Sequence, residues 1–470
     1  MLFNSFNFCI LVIATFGLYY ALPAKWFQIP VLIAASFIFY AAHHAELLLL
    51  LVASVAINIL TSFGVVYGIA RWRRIYALLG VASNLGILAF FKYAGLFGRT
   101  FLPAGNDFGE WLTTIPLPIG ISFFTFQGIS LMIDTFRGER DGTRSFFVNP
   151  SFLRHARNTA LFISFFPQLV AGPIVKANEF LPQIGTKRFI EIDWEFCVKA
   201  LILGYFLKMV IADNLKDQTF WLQYPYFEYY STTTLVVILF GYSMQIFADF
   251  AGYSLIAIGV GGLVGYRLPT NFDFPYISSS FAEFWKRWHM SLSRFLRDYL
   301  YYPLGGNRKG RVRTYINLMT VMALGGLWHG AAWSYAAWGI YHGILLAGER
   351  MLRNIFPFSS RKPLFVAMRA CFVFTAVSFG WLLFKLTEFS HVVIFLRALA
   401  GNTGMGIKPG VTAFTLLFGA PVVVYHAFHV ISGRLSAQAV SRFEPVLYAI
   451  MLFLIATNSG SPNEFIYFQF

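Results

Sequence analysis

The sequence predicts an all-α polytopic membrane protein, on three observations. Hydrophobic residues make up 57% of the 470-residue chain and charged residues only 12%, about half the share of roughly 25% that is usual in soluble domains. Long apolar runs recur along the whole chain instead of gathering at one end. A soluble core of this length is excluded, since single cores stop growing at about 250–300 residues. Lipid must therefore solvate much of the surface.

The apolar runs are the candidate membrane segments. They cover residues 6–22, 27–41, 46–70, 75–97, 116–136, 158–175, 198–215, 232–264, 314–348, 364–386, 412–432 and 446–458. Several exceed the ~20 residues that span a bilayer as a helix. The run 232–264 is expected to form one long helix or two short ones broken at Gly252, and the run 314–348 to divide near Gly330.

Two short apolar runs and one polar segment are expected to form structure other than regular transmembrane helices. The runs 158–175 and 446–458 are short enough to be re-entrant or tilted. We therefore expect about 11 transmembrane helices plus re-entrant or interfacial helices. With no long linker or tandem repeat visible, the chain is expected to form a single membrane domain over residues 1–470, with an amphipathic and basic segment at 281–313.

The net charge of +15 indicates cytoplasmic loops and not a nucleic-acid partner, because basic residues accumulate on the cytoplasmic side of membrane proteins. Arginines gather in the connections at 71–74 and 137–157, whereas the loop at 98–115 is weakly acidic. If residue 1 faces outward and successive helices cross the membrane in alternate directions, the connections at 71–74 and 137–157 lie in the cytoplasm and the loop at 98–115 lies outside. The cysteines lack metal-ligand spacing, so no metal site is expected.

The polar segment that begins at residue 281 has helical periodicity. At 100° per residue, His289 falls on an apolar arc together with Trp285, Leu292, Leu296 and Tyr299. The pattern predicts a continuous amphipathic helix over 281–300 that lies against the membrane or the protein core. His289 is either a core histidine bonded to a backbone carbonyl or part of a site.

A basic cluster follows a turn that contains Gly305 and Gly306. Its members are Arg308, Lys309, Arg311 and Arg313. One interpretation is an ordinary positive-inside loop. The other is an anion site for a phosphorylated donor such as coenzyme A, in which the turn's backbone N–H groups and the basic side chains face the phosphates.

The stretch GGLWHGAAW places His329 inside an apolar run. An ionisable residue within a membrane segment is a functional candidate by default, and histidine exchanges protons near neutral pH. Gly325, Gly326 and Gly330 would let a substrate approach the backbone closely. The remaining histidines are interpreted as structural. They are His342, the residues His43, His44 and His155 in expected loops, and His391, His426 and His429 far along the chain.

Long motifs in this chain resemble the membrane-bound O-acyltransferase (MBOAT) family, and above all its bacterial branch of membrane subunits that acetylate alginate and other exopolysaccharides. The histidine motif matches residues 326–330. Other matching stretches are PLPIGISFFTFQGISLMIDTFRGE at 116–139, FPQLVAGPI at 166–174, GYFLKMVIADNL at 204–215, EFWKRWHMSLSRFLRDYLYYPLGGNRKG at 283–310 and FIYFQF at 465–470. One departure is Leu255, where the branch usually has aspartate; Asp249 lies just upstream.

The resemblance implies a ring of membrane helices around a tunnel that joins the two faces, with His329 inside it as the catalytic residue. In many members an upstream Asn, Asp or His works beside this histidine, and His289 occupies the matching motif. Trp328 and Trp285 would line the tunnel. His329 would act as general base on an acceptor hydroxyl, or form an acyl-histidine intermediate, while His289 orients the reactants or donates to the oxyanion.

The family also implies a co-substrate and partners. Acetyl-CoA, the expected thioester donor, would enter from the cytoplasm, with no cofactor permanently bound. A periplasmic esterase-like acetyltransferase and the polysaccharide synthesis machinery would take the acetyl group onward to alginate, cellulose or a similar polymer. The expected location is the bacterial inner membrane, with lipid around the chain. Three alternatives stay open: D-alanyl transfer to teichoic acid, fatty-acyl transfer, and a transporter without acyl chemistry.

Overall fold

All regular structure in the described part of the chain is helical, which confirms the all-α prediction. The computed structural model describes residues 1–21, 27–42, 45–140, 147–170, 172–355, 362–433, 436–461 and 465–466. The chain forms two compact units. Unit 1 comprises Met1–Leu201 with Ile256–Pro269, and unit 2 comprises Ile202–Leu255 with Thr270–Phe470.

Unit 1 contains the first helices of the chain. They are α1 (Phe6–Ala21), α2 (Gln28–Ala41), α3 (Leu48–Tyr67), α4 (Arg73–Phe101), α5 (Asp107–Thr114), α6 (Ile121–Arg140), α7 (Phe152–Ser164), α8 (Phe166–Leu169) and α9 (Ala177–Phe180), followed by most of α10 (Trp194–Tyr205). Helices α3, α4 and α6 pack together. Between α3 and α4, the Asn58 amide donates to Asn84 Oδ1 (3.2 Å) and the Asn84 amide donates to Asn58 Oδ1 (2.9 Å). Such polar pairs hold apolar membrane helices together.

Unit 2 contains the later helices. They are α11 (Asp213–Thr219), most of α12 (Thr232–Leu263), α13 (Phe281–Arg287), α14 (Met290–Leu296), α15 (Arg311–His329), α16 (Trp333–Ile355), α17 (Pro363–Lys385), α18 (Phe389–Gly401), α19 (Pro409–Ser432) and α20 (Ala437–Thr457). Helix α12 runs unbroken through Gly252, so the one-helix alternative is the correct one. A methyl group at Gly252 would lie 2.8 Å from the Gly204 carbonyl oxygen, which explains the glycine by close helix packing.

Within the described ranges, five helical segments are long and apolar enough to cross a membrane. They are Ala45–Tyr67, Ala70–Phe101, Thr232–Leu263, Pro363–Lys385 and Pro409–Ser432. Each carries an 18-residue window of mean hydropathy between 1.6 and 2.3. These segments support a membrane protein, and the larger number of spans expected from the sequence stays a prediction.

A buried ion cluster lies in the interior of unit 2. Lys208 Nζ lies 2.7 Å from Asp213 Oδ1 and 2.8 Å from Asp249 Oδ1, and the three side chains are 1–4% exposed. The other carboxylate oxygen of Asp249 accepts a hydrogen bond from the Ile466 backbone N–H (2.7 Å). Asp249, the acid upstream of Leu255, therefore neutralises a buried lysine and holds the segment near residue 466.

Candidate active site

His329 is the last residue of α15, and the chain turns immediately after it. The Gly330 N–H donates to the Leu327 carbonyl, and α16 begins at Trp333, so the predicted division of run 314–348 is confirmed. His329 is 3% exposed. The helix end thus places an imidazole inside the protein, at a point where the backbone changes direction.

Two of the glycines around His329 are required for close packing, and the substrate approach expected from the sequence stays a prediction. A methyl group at Gly326 would collide with the Tyr335 carbonyl oxygen and lie 3.0 Å from Gly339 Cα, where α15 and α16 touch. At Gly330 it would collide with the Tyr335 ring. Gly325 differs, because its nearest neighbour would be Leu296 Cδ1 at 3.1 Å.

His289 lies in a break between two short helices, so the predicted continuous helix over 281–300 is wrong. Helix α13 ends at Arg287 and α14 starts at Met290. Between them, His289 adopts a left-handed backbone with φ 42° and ψ 54°. Non-glycine residues rarely have positive φ, and such strain of about 1–3 kcal/mol clusters at functional sites. Periodicity could not reveal this break because the apolar spacing continues across it.

Asn271 satisfies the backbone at this break. Its carbonyl oxygen accepts from the Met290 N–H (2.9 Å), and its side-chain oxygen accepts from the Ser291 hydroxyl (2.6 Å). The Asn271 amide donates in turn to Ser254 Oγ (2.9 Å). These contacts, made by buried side chains, offset part of the cost of the left-handed turn.

The structure brings the two candidate histidines together. The ring centroids of His289 and His329 are 6.0 Å apart, and His289 is fully buried. Aromatic rings surround the pair. Phe250 lies 4.6 Å from His289, Trp328 lies 5.9 Å from His289 and 5.1 Å from His329, and Trp338 meets His329 edge-on at 5.1 Å. The pair is therefore surrounded largely by aromatic, apolar side chains.

A cavity of about 200 Å³ reaches His329. Most of its wall is apolar: Trp285, Leu292, Leu296, Leu318, Val321, Met322, Gly325, Gly326, Trp338 and Leu346. The polar side chains that line it are His329, Ser293, Arg297 and Tyr301. The Arg297 side chain is 51% exposed, so the cavity leads from a charged surface residue to the buried imidazole. An apolar acyl group carried by an anionic donor fits this gradient.

Arg297 and Tyr301 are site candidates that the sequence reasoning missed. Both lie in the π-helical segment Arg297–Tyr301 that continues α14, and such wide turns recur at functional sites. A hydrogen bond to Asp298 raises the pKa of the Arg297 guanidinium, a group that is charged at neutral pH in any case. The only signal in the sequence was an Arg297–Asp298 pair within a largely apolar helix, and the sequence does not reveal the local π-helical geometry.

The basic cluster lies away from this cavity. Arg308 and Lys309 are exposed in the turn before α15, and Arg311 and Arg313 are exposed in its first turn. Arg311 and His329 stand at opposite ends of α15, roughly 27 Å apart at about 1.5 Å per residue. Direct contact with the reacting atoms is therefore excluded for the cluster, and only the remote part of a long donor could meet it.

His342, interpreted from the sequence as a structural residue outside the site, belongs to the aromatic surround of His329. It is fully buried, and its ring centroid lies 4.9 Å from Trp338 and 5.2 Å from Trp285. Neither ring nitrogen has a hydrogen-bond partner among the described residues. Trp338 contacts both His329 and His342. Helical angles could not predict this shared contact, because the helix is broken at residue 330 between the two histidines.

The other histidines in the described part of the chain lie outside the cavity at His329. His155 is a helical, buried residue whose Nε2 lies 2.8 Å from Ser62 Oγ, so the expected loop position is wrong. His426 Nδ1 contacts the Val422 carbonyl (2.8 Å), and His391 stacks on Tyr224. The positions of His43, His44 and residues 467–470 lie outside the described part of the chain.

The amino-acid sequence of this chain is similar to those of known proteins. Residues 148–386 match the profile of the family described as MBOAT, membrane-bound O-acyltransferase family. The chain is 39% identical over 405 residues to a probable alginate O-acetylase of Pseudomonas putida, covering 83% of this chain and 78% of that protein. It is 34% identical over 409 residues to a peptidoglycan O-acetyltransferase of Helicobacter pylori, covering 82% of this chain and 75% of that protein.

A third similarity covers less of the chain. A teichoic acid D-alanyltransferase of Streptococcus thermophilus is 34% identical over 259 residues, which is 50% of this chain and 58% of that protein. The matched family region includes both candidate histidines and all the residues that line the cavity.

Proposed function

The chain belongs to the membrane-bound O-acyltransferase family, and from that premise we propose that it transfers acetyl groups from a cytoplasmic thioester to an acceptor hydroxyl for the O-acetylation of an extracellular polysaccharide. The acyltransferase activity follows from the family. The acetyl group and the polysaccharide are proposed because relatives named as alginate O-acetylase and peptidoglycan O-acetyltransferase match over four fifths of the chain.

The observation that carries this proposal is the buried imidazole of His329 at the end of an apolar cavity, with His289 at 6.0 Å between ring centroids. A cavity of about 200 Å³ has room for a small acyl group. In such a site a positioned base is worth about 10²–10⁴-fold in rate.

The proposed reaction is a direct transfer. An acceptor hydroxyl gives its proton to a ring nitrogen of His329 while its oxygen attacks the thioester carbonyl carbon. The C–S bond then breaks, and the imidazolium returns the proton to the leaving thiolate. His289 orients the reactants or donates to the developing oxyanion, which preorganised donors stabilise. An acyl-histidine intermediate would divide the same transfer into two steps.

Acetyl-CoA is the proposed donor, with Arg297 at the cavity entrance and the basic cluster of Arg308, Lys309, Arg311 and Arg313 as contacts for its phosphates. Trp285 and Trp328 complete the proposed tunnel. About 11 spans around that tunnel, one membrane domain over residues 1–470 and a location in the bacterial inner membrane belong to this proposal. So does a periplasmic esterase-like partner that passes acetyl groups to the polymer.

The decisive experiment identifies the donor. The purified, reconstituted chain is incubated with acetyl-CoA labelled in the acetyl group, with and without candidate acceptors, and released coenzyme A is measured. We expect turnover that His329→Ala lowers by about 10²–10⁴-fold or more, while His391→Ala, a control histidine stacked on Tyr224, retains it. Transfer from a D-alanyl carrier protein and not from acetyl-CoA would support the teichoic acid alternative, and turnover unchanged in His329→Ala would refute the proposed role of this residue.

A further inference from the structure

A large groove in unit 1 combines arginines with an apolar wall. Its volume is about 1030 Å³, and it lies between the start of α4 and the end of α6. Its lining residues are Ala70, Arg71, Arg73, Arg74, Ala77, Leu78, Val81, Met132, Ile133, Phe136 and Arg137. Nothing in the proposed acetyl transfer uses these residues.

The charges gather at one end of this groove. Arg71, Arg73 and Arg74 surround the first turn of α4, and Arg137 lies in the last turn of α6. Arg71, Arg74 and Arg137 are exposed. Arg73 is partly buried and donates from Nε to the Val65 carbonyl (3.1 Å). Guanidinium groups bind phosphate oxygens in a bidentate geometry, so this end suits a phosphate.

The apolar wall extends from the charged end along both helices. On α4, Ala77, Leu78 and Val81 follow Arg74 on the same face, over roughly 10 Å at about 1.5 Å per residue. On α6, Met132 and Ile133 precede Phe136 by one turn. Leu78 is 68% exposed and Val81 and Ile133 are partly exposed, whereas Met132 is fully buried. The wall therefore opens to the protein surface at Leu78, Val81 and Ile133.

We propose that this groove binds an anionic phospholipid of the membrane, with its phosphate between Arg71, Arg74 and Arg137 and an acyl chain along Leu78, Val81 and Ile133. Clustered arginines at the cytoplasmic end of membrane helices hold anionic lipid head groups. The exposed Trp72 beside Arg71 has the position that aromatic residues favour at the membrane interface. If the arginines only set the orientation of the helices in the membrane, their charges would suffice and an apolar groove beside them would not be needed.

The test measures lipid binding to the purified chain in mild detergent by native mass spectrometry, with phosphatidylglycerol and phosphatidylcholine as probes. Binding in detergent is independent of membrane orientation, so loss of a topology signal cannot mimic loss of the site. We expect preferential retention of phosphatidylglycerol. Arg74→Gln should weaken it roughly fivefold and the triple change at Arg71, Arg74 and Arg137 on the order of a hundredfold, because each basic residue contributes about 1 kcal/mol.

Two further variants make the result specific. Arg99→Gln is the matched control, since Arg99 is an exposed arginine near the opposite end of the same helix, and it should bind phosphatidylglycerol like the wild type. Ala77→Trp fills the groove without removing a charge and should also weaken binding. Equal retention of both lipids, equal losses for Arg74→Gln and Arg99→Gln, or displacement of phosphatidylglycerol by coenzyme A would overturn the proposal.

Discussion

At the scale of single residues, His289 combines two properties that are separable by mutation. Its imidazole faces His329, and its backbone is left-handed. Glycine adopts positive φ without strain, and asparagine is the side chain that tolerates it next best. Replacement by either residue therefore removes the imidazole and keeps the turn.

We expect His289→Gly and His289→Asn to melt within a few degrees of the wild type and to lose most acetyl transfer. His289→Val should lose both, because a β-branched residue is a genuine outlier at this φ. Thermal unfolding in detergent and labelled acetyl transfer, measured on the same preparations, separate the two effects. Full activity in His289→Gly would return His289 to a structural role.

At the scale of elements, the contact between α15 and α16 determines the position of the His329 side chain. Gly326 leaves no room for a methyl group against the Tyr335 carbonyl, whereas a methyl group at Gly325 would meet only the flexible end of Leu296. The neighbouring glycines therefore form a matched pair with opposite expectations.

Gly326→Ala should destabilise the protein by about 1–3 kcal/mol, as overpacking does, and reduce activity by displacing His329. Gly325→Ala should be close to neutral in stability, since alanine gains about 1 kcal/mol over glycine in a helix and Leu296 can shift. Melting temperatures of the two variants check this. Similar losses for both would mean that the helix contact does not decide the position of His329.

The donor contacts are a second test at this scale. We expect neutralisation of Arg308, Lys309, Arg311 and Arg313 together to raise the KM for acetyl-CoA more than it lowers kcat, because contacts remote from the thioester bind ground and transition states alike. Arg297→Gln alone should raise KM at least as much, since Arg297 lines the cavity. An unchanged KM in the fourfold variant would leave the cluster as a topology signal only.

The elements also show where sequence reasoning succeeds and where it fails. Apolar runs predicted the helices and the division near Gly330, because burial in lipid depends on composition over many residues. The break at His289 was missed, because the contacts that stabilise it come from Asn271, in a loop 20 residues before Ser291 and outside the periodic segment. His342 and Arg297 were missed for the same reason: packing between helices, and not their own neighbours in sequence, brings them to the cavity region.

At the scale of the whole molecule, the Lys208–Asp213–Asp249 cluster ties together distant parts of unit 2. It connects the π-helical turn Phe206–Ala212, α11, α12 and the segment at Ile466. Removing one member of a buried ion group leaves an uncompensated charge, which costs about 3–5 kcal/mol.

Lys208→Met should therefore lower the melting temperature strongly, and Asp213→Asn and Asp249→Asn added to it should recover part of the loss. The control is Lys199→Met on the neighbouring helix, whose exposed pair with Glu195 is worth about 0–1 kcal/mol. Differential scanning fluorimetry of these three variants and the wild type suffices. A triple variant less stable than Lys208→Met would show that the carboxylates do more than neutralise the lysine.

The left-handed turn at position 289 also constrains how the gene can change. Histidine codons become asparagine or aspartate codons through one nucleotide change, and these are the non-glycine residues most often found in this backbone conformation. Mutational drift can therefore exchange the imidazole for an amide or a carboxylate without unfolding the turn. If the backbone conformation restricts which residues are accepted at the position of His289, related sequences should carry His, Asn or Asp there.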